Sequence, residues 1–524
     1  MSLQSIPNTQ REFDRTAILL HATDSVAVLK DWVKAGDELV KGSFSLRAAQ
    51  DIGPGHKIAV REIAADAPVR KYGQVIGFAL DRIAPGQHVH THNLVTRDFG
   101  RDYQFCAEAR PVCYYPPDRM KYFQGYARPG GRVGTRNYIA VISSVNCSAS
   151  VSCYVRDRFR TEACKRDFPN VDGVAAFTHK AGCATDPGEA LPVLQRVLAG
   201  FARHTNVSGC VLIGLGCETN HLEAMRQAGG LDNLRPGETA PVFLNIQSAG
   251  GVRKTVEAGV AAVTRLLPVA NAQRRTPQPV SKLVLAENCG GSDANSGLTA
   301  NPALGVASDE LIRYGGTSVL AETPEIYGAE HLLTRRAVSR EVAERLLERI
   351  RWWEQHALQH HCSLDNNPSC GNKVGGLTNI YEKSLGAVAK GGQSPLAAVY
   401  QYAEPILTPG LCFMDTPGFD PVSMTGLVAG GCNIGVFTTG RGSVYGCKPM
   451  PCIKVATHTP LYNWMEEDMD LNAGTILEGV ETVEQLGMRL FEKIIAVAGG
   501  QKTKSELAGL GDEEFAPWQL GPTF

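Results

Sequence analysis

Thiols recur in this chain at the ends of apolar runs. Tyr138-Ile-Ala-Val-Ile-Ser-Ser-Val-Asn-Cys147, Gly209-Cys-Val-Leu-Ile-Gly-Leu-Gly-Cys217 and Lys282-Leu-Val-Leu-Ala-Glu-Asn-Cys289 all read this way. A short apolar run closed by Gly, Asn or Ser is the pattern of a buried parallel strand. Ligands of open α/β sheets bind outside the carboxyl ends of such strands. Thiolates suit iron or zinc rather than calcium or magnesium. Cys147, Cys217 and Cys289 are therefore expected to hold a metal ion, with one coordination position left for substrate. The expectation rests on shared topological place, because the Cys-x2-Cys spacing of structural zinc sites occurs nowhere.

Histidines and arginines offer further chemistry. In His88-Val89-His90-Thr91-His92, alternate residues of a strand share a face, so three imidazoles can converge on one ion or one anion. A hydrated strand edge is the alternative reading. Arg132 and Arg136, four apart around Gly134, have the spacing for bidentate capture of a carboxylate. His21 ends an apolar run, and His179 precedes Cys183 in a Gly-containing loop. In Asn288-Cys-Gly-Gly-Ser-Asp293, paired glycines allow close approach of a ligand to the backbone. Neither a P-loop nor Gly-x-Gly-x-x-Gly is present there, which argues against nucleotide binding. The oxygen-rich loops 365–372 and 415–420 either ligate a hard cation or turn the chain.

These residues need elements to hold them. Residues 1–95 carry strand-like runs (Thr16–His21, Val26–Leu29, His56–Val60, Gln87–Leu94) separated by Gly-Pro turns, which implies a small β domain. Residues 96–124 lack periodicity and read as a linker. From residue 125 strands alternate with helical patterns such as Glu189–Ala202, Arg253–Leu267, Glu330–His360 and Glu481–Ala498, which implies parallel sheets covered by helices. The segment Ala272–Pro279 divides this part into units of 125–275 and 276–524.

Composition narrows the function. A chain of 524 residues with 43% hydrophobic and 20% charged residues is long enough for two or three globular domains. A net charge of −1 gives no footprint for nucleic acid, and no apolar run is long enough to span a membrane. The start of the chain lacks a secretory pattern, and its 15 cysteines form no disulfide framework, so a reduced, cytoplasmic setting is expected.

The segments Gly125–Tyr138, Asn288–Asp293 with Ser296–Leu304, and Asp365–Lys373 together resemble the altronate/galactarate dehydratase family, with further matches at Glu322–Glu325, Phe437–Gly440 and Gly511–Trp518. The resemblance implies an N-terminal β-clip (SAF) domain, a middle α/β domain used in dimerisation, a C-terminal Rossmann-like α/β domain, and an iron requirement. His21 falls on the family's His-x-x-Asp-x-Val pattern and His92 on its His-x-His-Asn ending. Cys147, Cys183, Cys217 and Cys289 match family cysteines. Ser25, Ala294, Asn295 and Cys370 depart from the usual residues, which touches substrate identity more than reaction type.

The resemblance further implies iron-dependent dehydration of a sugar acid, an altronate-type aldonate, to a 2-keto-3-deoxy acid. Iron is Fe2+, alone or in an iron–sulfur cluster. His21 and His179 are assigned to proton transfer, and His92, Arg132 and Arg136 to the substrate, by a homodimer. Galactarate, a pentonate or a 6-deoxyhexonate are alternative substrates, and elimination of sulfite from sulfolactate is an alternative reaction. A sugar-acid binding protein is the non-enzymatic alternative.

Overall fold

The apolar runs of the second half of the chain become two parallel sheets. The computed structural model describes residues 9–97, 99–101 and 103–521. In the middle domain, strands Gly173–Phe177, Tyr138–Ser143, Val207–Gly214 and Val242–Asn245 lie in that spatial order, all parallel. The C-terminal domain is built on seven parallel strands. From one edge to the other they are Leu396–Tyr400, Gly410–Met414, Thr317–Leu320, Val284–Cys289, Ile434–Thr439, Cys452–Ala456 and Leu471–Asn472.

Covered on both faces, the central strands have no need of polar alternation; every residue of Ile434–Thr439 is buried. Helices Ala300–Arg313 and Val483–Ala498 pack together over one face of the large sheet. On the other face, helix Asp420–Gly430 packs against Ala190–Ala202 of the middle domain, so the two α/β domains share one hydrophobic core. In each sheet the chain runs from its first strand to one side, then returns to the other side of that strand. The order reverses between Tyr138–Ser143 and Val207–Gly214, and again between Val284–Cys289 and Ile434–Thr439.

The N-terminal domain is a set of short strands, antiparallel except where Gln10–Glu12 pairs with Glu38–Lys41. Ala17–Ile18, Val26–Leu29, Lys57–Ala59 and His88–Val89 form one sheet, while Pro68–Lys71, Gln74–Ala79 and Leu94–Val95 form another. The expected strand at Thr16–His21 is reduced to Ala17–Ile18, after a helical turn at Phe13–Thr16. The segment that follows the domain runs over the C-terminal domain, with the Cys106 amide donating to Thr334 O and the Tyr115 amide to Arg313 O.

The two stretches read as connections differ from that expectation. Tyr122–Arg128 is a strand, and Tyr122–Tyr126 pairs antiparallel with Arg275–Pro279. Both cross between the α/β domains and so run side by side. Pro277 and Pro279 are tolerated because their strand lies at the edge. Among the described residues no helix is long and apolar enough to cross a membrane.

Candidate active site

Cys289 ends the central strand at the point where the large sheet reverses order. The next loop is tied to its neighbours through backbone: Gly290 N donates to Thr438 O, and the amides of Gly440 and Arg441 donate to Gly291 O. A side chain at Gly290 would overlap the Asp420 carboxylate, and one at Gly440 would overlap Asp293. Glycine is what lets these loops close on one another. Asp293 pins them, accepting from Ser296 N at 2.9 Å and from Thr457 Oγ1 at 3.1 Å.

Beneath the loops lies a buried polar cluster. Glu322 follows the Thr317–Leu320 strand in the left-handed region at φ 70°, held by its amide donating to Thr416 Oγ1 at 2.9 Å. A bulky residue in that conformation stores strain of about 1–3 kcal/mol, which is typical of functional sites. Lys390 Nζ lies 2.9 Å from Cys289 Sγ and 3.1 Å from Glu322 Oε2. Lys383 Nζ donates to Glu325 Oε1 and to Asn367 Oδ1, both at 2.6 Å. Cys289 Sγ is 3.4 Å from Glu325 Oε2.

One ligand atom each from Cys289, Glu322 and Glu325 lies within 4.8 Å of the others, and Glu322 Oε1 is buried with no hydrogen-bond partner. Burial and the neighbouring Glu325 push Glu322 up to about 8. Burial works against ionisation of Glu325 too, but Lys383 and Lys390 hold it below the ordinary range. Burial raises the Cys289 thiol strongly. Asp420, near the cluster, is pushed up to about 7 by burial and by Glu325.

The SAF domain roofs this point. Lys57 Nζ and Lys71 Nζ each lie 2.9 Å from a different oxygen of Glu382, and all three side chains are buried. Lys57 Nζ also donates to Gly376 O at 2.7 Å, and Asn379 Nδ2 donates to Ile76 O. Between roof and sheet runs a cleft of about 510 Å³ lined by Lys30, Pro54, Asn295, Gly375, Arg441 and His458. The Arg441 guanidinium is exposed there, and among the described residues it has no ion pair or side-chain hydrogen bond. Asp293 lines both the cleft and a narrow crevice of about 10 Å³ that reaches Tyr72, Cys289 and Lys383.

Several sequence-based expectations meet a different geometry. Cys147 and Cys217 follow the two strands of the small sheet's reversal point, whereas Cys289 belongs to the large sheet. The three do not share a sheet edge, and they are not among the groups of described residues whose ligand atoms cluster within 4.8 Å. Cys147 and Cys217 are instead joined by Cys183. The Asn146 amide donates to Ala181 O and the Thr219 amide to Cys183 O, which lace the three loops together, and all three thiols are exposed.

Arg132 and Arg136 do not form a carboxylate clamp. They sit before the Tyr138–Ser143 strand, at the end opposite Cys147, and their donors are engaged: Arg132 by Glu238 at 2.6 Å, and buried Arg136 by Glu506 and by Val497 O and Gln501 O. His179 is buried in the middle domain, its Nε2 donating to Ser143 O at 3.0 Å and its Nδ1 accepting from Ala181 N, and burial pulls it down to about 4. His21 lies in the SAF domain beside Gly73, so the two histidines are not brought together. His92 is exposed, its ring 5.5 Å from that of His88.

The lysines, Glu322 and Glu325 carry no assigned role in the sequence, and Asp420 enters it only as part of the oxygen-rich loop 415–420. The available signals were Glu322-Thr-Pro-Glu325, two carboxylates directly after a strand, and the acidic loop ending at Asp420.

A parallel sheet whose reversal point holds buried acids, lysines and a thiol under a separate β roof defines an α/β enzyme with an enclosed site. Comparison with known proteins identifies it further. The SAF-domain model of altronate/galactarate dehydratases matches residues 15–97, the second-domain model of D-galactarate dehydratase/altronate hydrolase matches 125–271, and the D-galactarate/altronate dehydratase C-terminal model matches 280–523. The chain is 35% identical over 493 residues to an altronate dehydratase of Bacillus subtilis, covering 94% of this chain and 97% of that protein. It is 35% identical over 490 residues to an altronate dehydratase of Escherichia coli, covering 93% and 96%. A galactarate dehydratase (L-threo-forming) of Escherichia coli is 38% identical over 503 residues, covering 95% of each chain. The chain belongs to the altronate/galactarate dehydratase family, and it is a carbon–oxygen lyase of the hydro-lyase type.

Proposed function

We propose that this enzyme dehydrates a sugar acid of the altronate type to its 2-keto-3-deoxy acid, in an iron-dependent reaction at the roofed reversal point of the large sheet. The observation that carries the reading is the convergence of Cys289, Glu322, Glu325, Lys383 and Lys390 beside a cleft with an unengaged arginine.

Dehydration requires removal of the weakly acidic proton next to the carboxylate and departure of a poor leaving group from the adjacent carbon. Arg441 is placed to hold the carboxylate, which fixes the reacting end of the substrate. Asp420, whose proton affinity is raised by burial and by Glu325, suits a general base. Lys383 keeps its proton, because Glu325 outweighs the effect of burial, and suits donation to the leaving hydroxyl.

The donor set fits iron. One soft thiolate and two carboxylates match Fe(II), and the partnerless Glu322 Oε1 is an acceptor waiting for a cation. Two lysines offset two carboxylates, and the Cys289 thiolate would add net negative charge toward a divalent ion. Bound iron would act as a Lewis acid on the substrate oxygens. A second arrangement of the iron, in a cluster, is favoured by the three exposed thiols Cys147, Cys183 and Cys217 on interlaced loops.

The test is an anaerobic screen of altronate, galactarate, pentonates, 6-deoxyhexonates and sulfolactate with ferrous iron, scored for 2-keto-3-deoxy product or sulfite. Bound iron is measured in parallel on wild type, Cys289→Ser and Cys217→Ser. A 2-keto-3-deoxy product with iron lost in Cys289→Ser alone supports the reading; iron lost in Cys217→Ser with a brown chromophore moves it to the middle domain. No product from any acid defeats it. We further propose that the chain works in the cytoplasm as a homodimer through its middle domain, which light scattering checks.

A further inference from the structure

The SAF domain carries a second group of metal-ligating side chains, away from Cys289. His56 follows the turn at Gly55, His88 opens the strand His88–Val89 that pairs with Lys57–Ala59, and His90 comes directly after that strand. One ring nitrogen from each lies within 4.8 Å of the other two, and the three side chains are half-buried. His56 Nδ1 is 3.0 Å from His88 Nε2, the His88 and His90 rings stack at 5.3 Å, and the His56 and His90 rings lie 5.1 Å apart.

Two observations say what this arrangement is for. First, His56 Nε2 lies 3.3 Å from Val374 O. A carbonyl only accepts, so that nitrogen carries the proton and Nδ1 presents its lone pair to the other two rings. A metal-bound histidine is oriented in this way, with its remote N–H held by a backbone carbonyl. Second, His90 Nδ1 is buried without a hydrogen-bond partner. A buried polar atom left unsatisfied costs about 1–3 kcal/mol unless something absent from the chain meets it. The backbone around the rings is held as well: Asn93 Oδ1 accepts from His90 N at 2.9 Å, and Asn93 Nδ2 donates to His88 O at 3.0 Å.

We propose that His56, His88 and His90 bind a divalent transition-metal ion of the zinc type at the seam between the SAF domain and helix Cys370–Val374. Imidazole nitrogen is the ligand of zinc, cobalt, nickel and ferrous iron, not of magnesium or calcium. Three neutral imidazoles leave the ion its full charge and one open position for water or a carboxylate. The ion fixes the ring of His56, whose other nitrogen holds the C-terminal domain, and so fastens the roof over the cleft. The site is distinct from the Cys289 cluster and does not depend on where iron binds.

Cobalt(II) titration of the chelator-stripped full chain, followed by ligand-field absorption, tests the proposal. Cys289→Ser is expected to take up one equivalent with the bands of a nitrogen-ligated ion, and wild type the same equivalent beside the thiolate-ligated one at Cys289. The His88→Gln, His90→Gln double variant is expected to bind that equivalent about 100-fold more weakly or not at all. Uptake unchanged in the double variant, or no such equivalent in Cys289→Ser, overturns the proposal. Should the double variant fail to fold, zinc-edge X-ray absorption of Cys289→Ser loaded with one equivalent decides. A shell of three imidazole nitrogens at about 2.0–2.1 Å supports the site, and a shell without imidazole scattering overturns it.

Discussion

The two parallel sheets of this enzyme reverse strand order in the same way, yet only one reversal point is enclosed. In the middle domain the loops after Tyr138–Ser143 and Val207–Gly214 carry Cys147 and Cys217 into solvent, beside exposed Cys183. Glu218 there spends its oxygens on local donors, Ser144 Oγ at 2.9 Å and Leu215 N at 3.0 Å. At the large sheet's reversal point the SAF domain lies across the strand ends, and Cys289, Glu322 and Glu325 are all buried. Topology selects both places equally. The roof makes the difference, because removing water strengthens every charge–charge interaction beneath it and shifts proton affinities toward neutrality.

The largest expected effect comes from the enclosed site. Asp420→Asn should lower kcat by about 10² to 10⁴ if Asp420 is the base. A base must be ionised to act, so wild-type kcat should rise with pH along an ascending limb, and that limb should vanish in the variant. A retained limb would assign the proton transfer to another group.

Removing the roof's anchor should come next. Glu382→Gln leaves Lys57 and Lys71 buried without their shared carboxylate, a change expected to cost about 3–5 kcal/mol in denaturant unfolding. Burial alone would raise Glu382, but the two lysines hold it far below its ordinary value of 4.5. A depressed folded pKa contributes stability that is present above 4.5 and lost as the pH falls below it. Wild type should therefore lose stability below pH 4.5 more steeply than Glu382→Gln.

How much of this was readable beforehand differs between backbone and site. Strands such as Cys452–Ala456 and Tyr138–Ser143 announce themselves because burial on both faces demands continuous apolar runs. Gly173–Phe177 and Leu396–Tyr400 are strands that the same reading passed over, since Ala-rich segments carry little β signal. The loop Asn288–Asp293 was legible as a ligand-approaching turn. Arg136 misled because a pair of arginines looks the same in sequence whether it faces a ligand or Glu506. Lys383 and Lys390 gave no local signal: each lies on a helical segment some 58 and 68 residues from its carboxylate partner, and only the sheet topology joins them.

Arg441→Ala sharpens the comparison at the cleft mouth. Loss of a charged hydrogen bond to the substrate carboxylate is worth about 1.5–3 kcal/mol, so KM should rise roughly 10- to 150-fold with a smaller change in kcat. An unchanged KM would place the carboxylate elsewhere in the cleft.

The smallest effect is expected at the unroofed reversal point, and it is the most informative about the pair. Cys217 is exposed, and its only described hydrogen bond is from Gln247 Nε2 at 3.4 Å. Cys217→Ser should shift stability by no more than about 0.5 kcal/mol, as exposed substitutions do. If enclosure determines which reversal point is catalytic, bound iron and turnover in this variant should stay close to wild type. A collapse of both would mean that the open thiols do the chemistry, and that the buried lysines and carboxylates under the SAF domain serve to hold two domains together.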